Sequence, residues 1–140
     1  MMLVVDASVA VKWFIVEPGR PEARRLLDGG DSLIAPELIV AEVVTVVWKR
    51  LMAEAIDHTQ ASDVPRELPR LFAELCPFAT LAERALAIAT KLRLPAYDCF
   101  YLALAETKDA KLGAGKSEHP IIGADGKVSR DITRDEHPFA

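Results

Sequence analysis

Residues 3–14 read LVVDASVAVKWF. Leu3 to Asp6 is a short β-branched run that suits a strand, and Ser8 to Phe14 has the pattern of a helix beginning directly after it. Asp6 stands where the strand hands over to the helix. The same alternation continues along the chain. Pro21 to Asp28 predicts a helix stopped by Gly29 and Gly30, and Ser32 to Ala35 predicts a second short strand ended by Pro36. Glu37 to about Ala55 is the longest helical pattern. It is β-branched, but its length and its WKRLMAE end (residues 48–54) favour helix over strand.

His58 to Leu75 is polar and then amphipathic, with Pro65 and Pro69 expected to break it into pieces. Cys76 to Ala79 is a strand candidate. Thr80-Leu81-Ala82-Glu83 has the spacing of a capping box that opens a helix to Arg93. A further helix runs from Ala96 to about Lys108, followed by a loop from Lys111 to His119. A last clear strand spans Pro120 to Gly123, before the turn dipeptide Asp125-Gly126. Strands separated by helices imply βαβ units. The expected fold is therefore a single α/β domain over residues 1–140, with a central, mostly parallel sheet covered by helices.

Four acids sit in or beside strongly apolar stretches: Asp6 in LVVDASVAV, Glu42 in ELIVAEVVTVVW, Asp98 in LPAYDCFYLALA and Asp125 in IIGADGKVS. An unpaired carboxylate in apolar surroundings is expensive. Each has a purely structural alternative. Asp6 suits an N-cap shared with Ser8, and Asp125 suits an ordinary Asp-Gly turn. Asp98 near a helix N-terminus compensates the dipole. Glu42 suits an internal ion pair with a distant arginine. It also heads a thin polar stripe with Thr45 and Lys49 at helical spacing, narrow enough to line a cleft. Taken together the four point to one pocket that needs negative charge. In parallel sheets functional groups gather beyond the carboxyl ends of the strands, where Asp6 and Asp125 both belong.

Other chemistries lack their residues. His58, His119 and His137 are scattered in polar segments, and Cys76 and Cys99 have no metal-ligand spacing. Ser8 has no partner histidine, and GAGK (residues 113–116), though followed by Ser117, lacks the spacing of a P-loop, with Ala110 where its first glycine would stand. A phospho-acceptor domain would need an adjacent acidic pair after the first strand, and Asp6-Ala7-Ser8 lacks it. All-oxygen ligation selects Mg²⁺ or Mn²⁺. Such cations activate water and stabilise the leaving oxygen in phosphodiester cleavage.

The chain has 140 residues, is 51% hydrophobic and carries a formal charge of −4. The charge argues against non-specific coating of nucleic acid but is compatible with an acidic metal site. No apolar run reaches the ~20 residues a membrane span needs. The N-terminus lacks the basic region of a signal peptide, and Cys76 and Cys99 read as reduced, buried side chains, so a cytoplasmic protein is expected.

VVDASV (4–9), PELIVAEVVTVVWK (36–49), LPAYDCFYLALAE (94–106) and IIGADGKVSR (121–130) resemble, in order, the four signature blocks of PIN-domain ribonucleases, and among them the VapC type of toxin from toxin–antitoxin pairs. The resemblance implies a three-layer PIN-like fold. It implies that Asp6, Glu42, Asp98 and Asp125 ligate Mg²⁺ or Mn²⁺ and cut single-stranded or looped RNA. It further implies a homodimer and a small cognate antitoxin that reaches into the acidic pocket. An RNA-processing nuclease or a degenerate, non-catalytic binding module are the alternatives. Two positions depart from the pattern: Thr45 stands where the family often has Asn, and Gly123 where it usually has Thr or Ser. Ser8 and Thr45 are candidate supporting hydroxyls. Lys12, Lys49, Arg50, Lys116, Lys127 and Arg130 are candidate rim cations, with Lys127 and Arg130 first as RNA phosphate contacts.

Overall fold

The computed structural model describes residues 2–111, 121–122 and 128–129, with side chains described as far as residue 108. Its strands are β1 (Met2–Val5), β2 (Ser32–Pro36), β3 (Glu74–Cys76), β4 (Ile121–Ile122) and β5 (Val128–Ser129), in one sheet of order β3-β2-β1-β4-β5. β1 pairs in parallel with β2, Leu3 opposite Leu33, and with β4, Val4 opposite Ile121. β2 pairs in parallel with β3, and β5 runs antiparallel to β4. The helices are α1 (Ala7–Phe14), α2 (Arg20–Asp28), α3 (Leu38–Met52), α4 (His58–Glu67), α5 (Ala82–Leu92) and α6 (Ala96–Lys111). The chain is thus the expected α/β domain with a mostly parallel sheet.

The period-two alternation of strand side chains creates three layers. Leu3, Val5, Leu33 and Ala35 face one way, into a core filled by Val9, Trp13, Ile39, Val43 and Val64 from α1, α3 and α4. Val4 and Ile34 face the other way, against Ile88 of α5 and Cys99, Tyr101 and Leu104 of α6. β1 and β2 are therefore apolar on both faces, as strands covered on both sides must be. Trp13 ties the first layer together. Its Nε1 donates to the Ala23 carbonyl at 2.8 Å and its ring lies 5.5 Å from that of Phe72. In the second layer Arg84 of α5 grips Glu106 of α6 through two bonds of 2.6 and 2.9 Å.

Three local expectations differ from the structure that forms. Pro65 does not break α4 but sits inside its last turn. The neighbouring Val64 and Leu68 are buried in the core, which offsets the lost backbone bond. The capping box lies at Asp57 and Gln60, which exchange bonds of 2.8 and 3.1 Å at the start of α4. Thr80 instead donates to the Pro77 carbonyl, closing a 3₁₀ turn over Phe78–Leu81, and α5 starts at Ala82 without a side-chain cap. β3 is Glu74–Cys76, earlier than expected, because Pro77 ends it and the Cys76 carbonyl accepts from Glu37 N at 2.7 Å.

Candidate active site

Asp6 comes directly after the last residue of the central strand and is the N-cap of α1. Its Oδ1 accepts from Val9 N at 3.2 Å and from the Ser8 hydroxyl. The capping role and the site role are thus served by one carboxylate at the carboxyl edge of the sheet. It is 5% exposed, so water does little to stabilise its charge.

Glu42 lies in the second turn of α3. No arginine among the described residues pairs with it. Tyr101 of α6 donates its hydroxyl to Glu42 Oε1 at 3.0 Å. Glu42 Oε2 is buried and meets no hydrogen-bond donor among the described residues. The tyrosine is the site member that sequence reasoning missed. Its signal was the three-residue spacing from Asp98, which puts both side chains on one face of α6.

Asp98 is in the first turn of α6 and is buried, at 2% exposure, as is the adjoining Cys99. Both cysteines are buried and neither forms a disulfide, as expected. Asp125, Lys127, Arg130 and Gly123 lie outside the described residues, as do Lys116, His119 and His137.

The structure thus brings Asp6, Glu42 and Asp98 into electrostatic range of one another. Burial raises the Asp6 carboxyl from 3.8 to about 6, against the pull of its bonds from Ser8 and Val9, and the Asp98 charge adds to the rise. Burial likewise raises Glu42 from 4.5 to about 7, with Tyr101 pulling it down and Asp6 and Asp98 pushing it up. Tyr101 is held well above the usual phenol range, first by burial and then by the Glu42 charge. No lysine or arginine among the described residues eases either carboxyl.

A divalent cation fits these residues by donor type and by charge. All three donors are hard carboxylates that repel one another, and one buried oxygen, Glu42 Oε2, has no donor among the described residues. As they stand, no three His, Cys, Asp or Glu side chains among the described residues close on one point as a finished metal cage. Asp6 Oδ1 and Glu42 Oε1 are committed to Ser8 and Tyr101.

Thr45 spends its hydroxyl on the Ala41 carbonyl of its own helix at 2.8 Å. It nonetheless lines a groove of about 300 Å³ together with Glu42, Lys49 and Tyr97. The polar stripe Glu42, Thr45, Lys49 therefore does face a cleft. Of the other rim cations, Arg50 is paired with Glu17 at 2.8 Å.

A sequence model of the PIN domain family matches residues 3–113, a span that contains Asp6, Glu42 and Asp98 and ends before Asp125. The chain is also similar to Ribonuclease VapC3 of Pyrobaculum aerophilum. The two are 32% identical over 114 residues, covering 80% of this chain and 87% of the relative.

Proposed function

The chain belongs to the PIN-domain family, and on that premise we propose that it is a divalent-metal-dependent endoribonuclease toxin of the VapC type, cutting single-stranded or looped RNA. The observation that carries this reading is the meeting of two buried acids, Asp6 and Asp98, with the half-buried Glu42, whose Oε2 is buried, Asp6 and Glu42 being raised to about 6 and about 7. A fold keeps such mutually repelling groups together at a cost to stability, and a functional site is the usual reason.

Asp6, Glu42 and Asp98, joined by Asp125, would hold Mg²⁺ or Mn²⁺. When bound, the cation supplies charge that acidifies water and offsets the negative charge of the phosphodiester under attack. The protein supplies position. Ser8 and the first turn of α1 fix the Asp6 carboxylate, and Tyr101 fixes Glu42 so that Oε2 stays available. Lys127 and Arg130 contact RNA phosphates, with Ser8 and Thr45 in supporting places. Single-stranded or looped RNA is the substrate because unpaired backbone can bend into a recessed acidic site.

A cognate antitoxin neutralises the toxin by reaching the acidic pocket, and the chain forms a homodimer in the cytoplasm. Val44, Trp48 and Met52 stand exposed at four-residue spacing along α3, the sort of apolar row that protein partners cover. No helix among the described residues is long and apolar enough to cross a membrane.

The test is cleavage of a panel of structured RNAs by the purified protein, free of antitoxin, in Mg²⁺, Mn²⁺ or EDTA, beside Asp6→Asn. Cleavage that needs both the metal and Asp6 is the expected result. No cleavage and no metal binding by calorimetry would sink it in favour of a non-catalytic binding module.

A further inference from the structure

We propose that the groove beside Glu42 is a nucleotide subsite, in which Tyr97 stacks on an unpaired base next to the scissile phosphate and Lys49 holds the adjoining phosphate. This rests on the RNA-cleaving reading above and extends it to how the substrate is gripped.

The groove lies between the outer face of α3 and the first turn of α6. Its floor is apolar, with Leu38 and Val46 from α3, and its volume of about 300 Å³ admits a planar heterocycle. The α3 residues recur at three- and four-residue spacing, so they form one face along the helix. Glu42 belongs both to this wall and to the carboxylate cluster, so the groove opens directly onto the acids.

Tyr97 precedes Asp98 in sequence but points away from the core: it is 60% exposed, whereas Asp98 and Tyr101 are buried. A large aromatic left in water at the lip of a groove offers a π-face to a base. Lys49 sits along α3 from Glu42 and makes no ion pair among the described residues, unlike Arg50. The order along the groove is thus carboxylate, hydroxyl, ammonium on one wall, with an aromatic ring on the other. Single-stranded RNA offers a phosphate to the ammonium and an unpaired base face to the ring. Stacking is tolerant of base identity, so the subsite contributes affinity and register.

The experiment uses the full chain and labelled oligoribonucleotides with one abasic position walked across the cut site. Binding is read by fluorescence anisotropy in EDTA, and kcat and KM by cleavage in Mg²⁺. Tyr97→Ala is expected to weaken binding and raise KM about tenfold with little change in kcat, as for loss of one stacked base. Tyr97→Phe is expected to retain both. One abasic position should cost the wild type the same tenfold and cost Tyr97→Ala nothing more. Lys49→Ala should lower the salt dependence of binding by about one phosphate contact.

Unchanged binding by Tyr97→Ala, or penalties that simply add, would overturn the subsite while leaving the nuclease reading intact. Unchanged binding joined to a loss of self-association in sedimentation would assign the ring to a protein interface. Tyr97-dependent binding without any cleavage by the wild type would support the subsite and remove the nuclease. Absence of both binding and cleavage would remove both.

Discussion

Tyr101 donates a hydrogen bond to Glu42 at 3.0 Å across 59 residues of sequence. That bond joins α6 on one face of the sheet to α3 on the other, at the edge that carries the acids. The tyrosine ring is fully packed in the second core layer, so the hydroxyl has no freedom to look elsewhere.

Tyr101→Phe keeps the packing and removes the donor. A hydrogen bond to a charged group contributes about 1.5–3 kcal/mol. The loss should be larger at pH 8, where Glu42 is ionised, than at pH 5. Urea midpoints at the two pH values check this, and equal losses would contradict the pairing. Activity should also fall, because Oε2 is no longer aimed.

Stability without metal should decline as pH rises from about 4 to about 7. Asp6 moves from 3.8 to about 6 on folding and Glu42 from 4.5 to about 7. Across that window the folded state holds more protons than the unfolded one, so raising the pH favours unfolding. The Asp6 shift corresponds to at most about 3 kcal/mol. Denaturation in EDTA at pH 5 and 7.5 should show the wild type more stable at the lower value. Asp6→Asn, with a side chain that still caps α1, should flatten the difference and be the more stable protein at pH 7.5.

Added Mg²⁺ or Mn²⁺ should reverse the loss. The melting temperature is expected to rise at pH 7.5, much less at pH 5 where protons compete, and hardly at all in Asp6→Asn. A metal-induced rise that ignores pH would place the binding elsewhere.

Asp98→Asn should cut cleavage by more than about a hundredfold, beyond the cost of losing a supporting outer group. The side chain is isosteric, so circular dichroism should be unchanged. A retained rate would take Asp98 out of the reaction.

Trp13→Phe should destabilise the fold by about 1–3 kcal/mol. It removes the side-chain donor to the Ala23 carbonyl and shrinks the contact with Phe72. Because α1 springs from Asp6, the same variant should also bind metal less tightly in calorimetry.

The alternation of strand and helix, and the acids placed within apolar runs, were legible because both arise from local chemistry. LVVD ends a strand covered on both faces, and Asp6 caps the helix that begins at Ala7; no distant residue is needed to see either. Tyr101 was not legible as the partner of Glu42, since nothing local distinguishes a packed tyrosine from one whose hydroxyl bonds across the sheet. The place of β3 was set by its register with β2 and by Pro77, which are tertiary facts. Pro65 survives inside α4 because Val64 and Leu68 are buried beside it, a gain that a proline rule cannot weigh. Thr80 and Glu83 had the right spacing for a cap, yet the Pro77 carbonyl offered Thr80 a nearer partner.

The first strand pairs with the fourth, Val4 beside Ile121, across almost the whole chain. During synthesis β1 leaves the ribosome early and waits, with one edge open, until residues 121–122 have been made. Parallel partners so far apart are slow to find each other. The carboxyl edge that carries Asp6 is consequently among the last regions to take its final form. On the proposed toxin reading, a nascent chain is thus disarmed by its own topology, and its antitoxin has that interval in which to be ready.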